Sequence, residues 1–194
     1  MKQVIAIHGG ESFNTYGEYL DFLKKAVVDL EPGRGWKSGL QEVLGTNYQV
    51  ILPRMPNSFN AKYGEWSIWF EKYVPLLNDE VILIGHSLGA DFLVKYLTEN
   101  NFPKKIVATV LVAGTYPNGN RALPEFSIDS SLEHFAKQAG TIFLYHSKDD
   151  QVVPYEEVEK YTAALPNAVV RSFEDRGHFN QEEFPELVAD IKSL

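Results

Sequence analysis

The chain has 194 residues, 44% of them hydrophobic and 23% charged, which is the composition of a folded globular domain and excludes disorder and low-complexity architecture. It contains no cysteine, which removes thiolate nucleophiles, zinc–thiolate centres and iron–sulfur clusters. Its net charge of −8, to which residues 155–194 contribute with 4 basic against 9 acidic side chains, argues against nucleic acid and anionic membrane as partners.

Short apolar runs alternate with longer segments of helical period. Met1-Lys2-Gln3 leads directly into Val4-Ile5-Ala6-Ile7, a run too short for the apolar core of a signal peptide, so a cytoplasmic protein is expected. No stretch reaches 18 apolar residues, so no membrane span is expected either. Residues 4–7 read as a strand buried on both faces and closed by His8-Gly9-Gly10. Tyr19, Phe22, Leu23, Ala26, Val27 and Leu30 then trace one face of a helix, ended by Pro32-Gly33-Arg34-Gly35. A second strand is predicted over 48–52. A second helix carries Trp66, Trp69, Phe70, Tyr73, Val74 and Leu77, with Pro75 expected to strain or end its last turn.

Residues 81–84 form a third predicted strand, followed by Gly85-His86-Ser87-Leu88-Gly89 and a helix over 90–99. Strands over 106–112, 141–145 and 168–173 follow, with helices over 132–137, 156–165 and 181–191 between and after them. Such alternation predicts one α/β domain spanning 1–194, about six mostly parallel strands with helices on both faces. In sheets of this kind function gathers in the loops at the C-terminal strand ends.

Gly85-His86-Ser87-Leu88-Gly89 is a Gly-x-Ser-x-Gly sequence placed between a strand and a helix. There a sharp, strained turn lifts the serine hydroxyl above the sheet, and side chains at Gly85 and Gly89 would collide. A serine needs a base, and the base needs an orienting acid. Downstream, Asp149-Asp150-Gln151-Val152-Val153-Pro154 and Gly177-His178-Phe179 each follow a predicted strand, giving the order serine, acid, histidine. The residues alone leave Asp149 and Asp150 even as the acid. The N–H of Leu88, directly after the serine, is one donor for a developing oxyanion, and the second is expected from His8-Gly9-Gly10-Glu11.

Together these motifs resemble those of the α/β-hydrolase superfamily, and the short length with no cap domain is most similar to its small serine-hydrolase branch, the retinoblastoma-binding-protein-9/YdeN-like proteins. The resemblance runs from the His8-Gly9-Gly10 loop to the last helix. It implies an α/β-hydrolase fold with strand order 2-1-3-4-5-6 and a triad of Ser87, Asp150 and His178, favouring Asp150 over Asp149. It also points to the Gly10 N–H as the second oxyanion donor.

The expected activity is therefore hydrolysis of small ester or thioester-like substrates through a Ser87 acyl-enzyme, as in carboxylesterases, with no cofactor and no metal. The alternative is a protein-binding module that keeps the fold with incidental catalysis. His8, Gly9 and His86 are expected to line the site, and His134 and His146 to be structural or exposed. Trp36 could border an acyl pocket, whereas Trp66 and Trp69 fall on a core stripe. No Gly-x-Gly-x-x-Gly or P-loop supports nucleotide binding. Only 28 residues, including the turn-like Pro117-Asn118-Gly119-Asn120, lie between Ala113 and Gly140 inclusive, so a shallow, open cleft with little apolar wall and a preference for short acyl chains is expected.

Overall fold

A computed structural model describes residues 1–30, 35–118, 120 and 122–194. In chain order it comprises β1 (Lys2–Ile7), α1 (Tyr16–Lys25), α2 (Trp36–Leu44), β2 (Tyr48–Ile51), α3 (Tyr63–Tyr73), β3 (Glu80–His86), α4 (Leu88–Glu99), β4 (Lys105–Val112), α5 (Glu133–Gln138), β5 (Thr141–Ser147), α6 (Glu156–Ala164), β6 (Val169–Phe173) and α7 (Pro185–Lys192). All five strand pairings are parallel, and the sheet order is β2-β1-β3-β4-β5-β6, as the resemblance implied. The order reverses between β1 and β3. The crevice of a doubly wound sheet opens at such a switch point, and the His8-Gly9-Gly10 loop and Ser87 are the residues that leave the sheet there.

Alternation along the strands divides the core into two layers. Ile5, Ile7, Val81 and Leu83 face a layer built from α3, α4, α5 and α6, whereas Val4, Ala6, Ile82 and Ile84 face α2 and α7. Trp66 is fully buried in the first layer, edge-on to Phe92 and Phe126, with its indole N–H donating to the Pro56 carbonyl at 2.8 Å. Its stripe partner Trp69 is 42% exposed, at the rim of the layer and not in the core.

The elements depart from expectation in three places. The first helix stops at Lys25 instead of reaching Leu30: Ala26 is extended, and Val27, Val28 and Leu30 are exposed because no layer lies over them. A capping box between Thr15 and Glu18 fixes its start, but α1 buries no residue completely. The next helix, α2, was not predicted, although Trp36, Leu40 and Leu44 recur every four residues and are its buried face. Gly35, the end of the predicted stop signal, is its N-cap; Pro32, Gly33 and Arg34 lie outside the described residues, as does Gly119. The final helix begins at Pro185 and not at residue 181, since proline suits a first turn and keeps Phe184, at φ −142° and ψ 70°, out of the helical region. Pro75 acts as expected, ending α3 at Tyr73 and opening a 3₁₀ turn over Val74–Leu76.

Replacing Trp66 with alanine should cost about 3–5 kcal/mol, the usual range for emptying a buried aromatic site. A urea titration should then show a lower midpoint at unchanged slope.

Candidate active site

Ser87 stands between β3 and α4 with φ 55° and ψ −127°, a region that a residue with a side chain occupies only under constraint. Its N–H donates to the Val112 carbonyl, and its own carbonyl receives the N–H of Ala90 and of Asp91. Close packing holds the turn. A Cβ on Gly85 would lie 2.5 Å from Ala90 Cα, and one on Gly89 would lie 2.5 Å from the Ile7 carbonyl oxygen. The loop after β1 is pressed against the serine, so that a Cβ on Gly9 would lie 3.5 Å from Ser87 Oγ. Within that loop the Glu11 N–H is taken by the Ser58 carbonyl at 2.8 Å, which leaves the Gly10 N–H with no backbone acceptor among the described residues.

The two aspartates past β5 do different things. The Asp150 side chain is wholly buried; Oδ1 accepts the N–H groups of Val152 at 2.8 Å and Val153 at 3.0 Å. The same carboxylate meets His178 Nδ1 at 3.1 and 2.9 Å. Because the carboxylate only accepts, Nδ1 carries the proton in the neutral ring, and the Nε2 lone pair is left on the side away from Asp150. Asp149 is exposed and reaches the loop instead of the ring. Its Oδ1 accepts the Ser147 hydroxyl at 2.5 Å and the Gly177 N–H at 2.8 Å, and Ser147 Oγ in turn accepts the Arg176 N–H at 2.9 Å. The Ser147 hydroxyl is the main reason that the Asp149 carboxyl sits below its ordinary pKa.

From the other side the histidine loop is tied down by α2. The Trp36 backbone N–H and indole N–H donate to the carbonyls of Gln181 and Phe179, at 2.9 and 3.0 Å. His86 Nε2 lies 2.8 Å from the His178 carbonyl, and His86 Nδ1 lies 3.0 Å from Lys37 Nζ. A carbonyl can only accept, so His86 is protonated on Nε2 and its Nδ1 accepts from Lys37. Burial first, and the neighbouring Lys37 charge second, push the His86 pKa down to about 3. Burial alone lowers Lys37 to about 8.

Ser87 and His178 open into one cavity of about 870 Å³, with Gly9, Gly10, Leu88 and His86 also in its wall. His8 does not line it. Its Nε2 accepts the Met55 N–H at 2.9 Å, so Nδ1–H is turned onto the Gly9 carbonyl and the ring shapes the loop from behind. Trp36 is likewise a core residue, 3% exposed, and borders no acyl pocket. His146 is buried and bonded to the Val153 carbonyl. The expected scarcity of apolar wall is not what the chain builds: α1 and the loop before α3 supply Phe22 and Phe59, and Tyr116, Leu123 and Val152 stand in the same wall. Ser12 and Thr15 anchor this cover, the first through its hydroxyl on the Ala61 carbonyl.

Three wall residues escaped the sequence reading. Lys37 follows from α2, whose four-residue apolar spacing was its only signal. Asp91, one turn beyond Ser87, is a buried carboxyl that accepts the N–H and hydroxyl of Thr115 at 2.8 and 3.0 Å. Burial raises its pKa to about 7. Glu157 accepts the Tyr116 N–H and pairs with Lys160. The lone charge among Ala90, Phe92 and Leu93 was a legible sign of Asp91.

A sequence model described as "Serine hydrolase" matches residues 31–187. The chain is 28% identical over 161 residues to the serine hydrolase RBBP9 of Rattus norvegicus, covering 82% of this chain and 84% of that protein. It is 26% identical over 187 residues to YdeN of Bacillus subtilis (strain 168), covering 94% and 88%. The crystal structure of the B. subtilis ydeN gene product superposes with a TM-score of 0.78 at 22% identity, covering 100% of this chain and 98% of the other. The fold is thus the α/β-hydrolase fold.

His86 should remain neutral wherever the protein is folded above about pH 4, because its folded pKa of about 3 lies below that of a free imidazole. Histidine-resolved NMR should show Nε2-protonated His86 with no titration between neutrality and that limit. The unfolded chain binds this proton first, so His86 withdraws stability as pH falls through the ordinary histidine range. Replacing it with glutamine should flatten that part of the stability profile.

Proposed function

The chain belongs to the serine hydrolase family, and we propose that it cleaves carboxylic ester or thioester bonds through an acyl-enzyme formed on Ser87. The observation that carries this reading is the arrangement of Asp150, which takes two backbone N–H groups and His178 Nδ1–H together. That fixes an imidazole whose Nε2 lone pair is free, in the cavity where Ser87 is raised on its strained turn.

In this mechanism His178 Nε2 takes the Ser87 hydroxyl proton as Oγ attacks the carbonyl carbon. The oxyanion accepts from the N–H groups of Leu88 and Gly10; the Glu11 N–H, engaged by the Ser58 carbonyl, supports Gly10 over its neighbour. The imidazolium, supported by the Asp150 carboxylate, returns the proton to the leaving oxygen or sulfur as that bond breaks. Water then repeats the cycle on the acyl-enzyme and releases the acid. Asp149 acts through the loop, holding the Arg176–Gly177 backbone that presents His178.

A fluorophosphonate probe should label the wild type and leave Ser87→Ala unlabelled; labelling elsewhere would overturn the mechanism. His178→Ala should lower esterase kcat by several orders of magnitude, and Asp150→Asn by on the order of 10⁴-fold. Asp149→Ala should cost only about tenfold; the reverse ranking of the two aspartates would reassign the acid. The rate should fall on acidification through a single ionisation.

Acyl length is the second test. With Phe22 and Phe59 in the wall, each additional buried methylene is worth about 0.8 kcal/mol. The value of kcat/KM should therefore keep rising beyond butyryl, and Phe22→Ala should blunt the rise. A plateau at acetyl would mean that the chain lies outside this wall.

A further inference from the structure

The Lys37 ammonium has no part in the proton transfers above, yet it stands in the wall of the same cavity. It projects from the second residue of α2, over the Trp36 ring at 4.5 Å from its centroid. Its hydrogen-bond partner is His86 Nδ1, an imidazole that stays neutral. Among the described residues no carboxylate comes within ion-pair distance of it, whereas Lys160, the other lysine of the wall, is paired with Glu157. A largely desolvated cation with only a neutral partner is under-compensated. The positive end of the α2 macrodipole adds to the imbalance.

Its place in the cavity says which part of a substrate it would meet. His178 delivers its proton to the departing atom, so the leaving group lies against His178. The His86 ring is 5.1 Å from the His178 ring, centroid to centroid, and Lys37 holds the other nitrogen of His86. Lys37 is therefore on the leaving-group side. The groups that face it or its partners are His86 at the end of β3, His178 on the loop before α7, and His8 and Glu11 on the loop after β1. Glu11 is exposed, and the charge acting on it is that of His178 and not that of Lys37.

Resting on the serine-hydrolase reading above, we propose that Lys37 binds a carboxylate carried by the leaving group, so that the preferred substrates are esters or thioesters of carboxylate-bearing alcohols or thiols.

The test compares para-carboxyphenyl butyrate with its neutral isostere para-carbamoylphenyl butyrate, each rate divided by that of hydroxide-catalysed hydrolysis. The wild type should favour the carboxylate by about tenfold in kcat/KM, expressed mainly in KM. Because kcat/KM reports the free enzyme, that preference should vanish as pH rises through about 8, where Lys37 loses its charge. Lys37→Met should abolish the preference, and Lys37→Arg should keep it and extend it to higher pH. A carboxylate on the acyl side, as in para-nitrophenyl hemisuccinate, should gain nothing over para-nitrophenyl butyrate. Calorimetry on Ser87→Ala reads the same site without turnover: the carboxylate ester should bind about tenfold tighter, and adding Lys37→Met should remove the difference. Equal handling of the two esters by the wild type, or a preference that survives Lys37→Met or the rise in pH, would overturn the assignment of Lys37. Loss of all ester turnover together with no fluorophosphonate labelling would instead overturn the serine-hydrolase reading, leaving the calorimetric comparison to decide Lys37 by itself.

Discussion

Everything at the site depends on one backbone constraint, the positive-φ turn at Ser87. A conformation of this kind costs on the order of 1–3 kcal/mol and persists only where the surroundings over-determine it. Here they do. The helix that starts at the turn buries Leu88, Gly89, Ala90, Asp91, Phe92, Leu93, Val94, Tyr96, Leu97 and Thr98, so the turn cannot relax without lifting α4 off the sheet. Gly85 and Gly89 let α4 and β1 approach to distances that any side chain would forbid. The same approach brings the loop after β1 against the serine, so that Gly9, Gly10 and Ser87, which follow strands far apart in sequence, meet in space.

The histidine is held by a different principle. Its loop is long and irregular, and it is fixed from two sides by hydrogen bonds to its backbone. Asp149 and Ser147 at the end of β5 hold the Arg176 and Gly177 N–H groups, while Trp36 and His86 hold the carbonyls of His178, Phe179 and Gln181. Donors are met from one side and acceptors from the other. The ring is then left with one contact that sets its proton, the buried Asp150 carboxylate. Holding the loop is thus separate from contacting the ring, and each aspartate of the Asp149-Asp150 pair does one of the two.

The cavity wall is polar at depth and apolar at the mouth. Asp91 is buried on Thr115, and Glu157 sits on the Tyr116 N–H, so each carboxylate is supported by backbone donors. Phe22 and Phe59 stand side by side in this wall with ring centroids 6.4 Å apart. They belong to segments outside the two core layers, so the cover of the site is built from elements that contribute little to the core itself.

The sequence by itself determined the sheet, the turn at Ser87, and the places of Asp149, Asp150 and His178 just past their strands. Local patterns encode all of these: strands buried on both faces are continuous apolar runs, and a strand-to-helix turn around a serine demands glycine at Gly85 and Gly89. Tertiary structure alone decided what depends on contacts between distant segments. It separated Asp149 from Asp150, since both follow the same strand and differ only in which reaches a ring 28 residues away. It placed His8 behind the loop and His86 beneath His178, because a histidine's partners are not written beside it. It also stopped α1 at Lys25 and raised Phe22 over the cavity, since an amphipathic stripe shows that a face is apolar but not which surface, if any, will cover it.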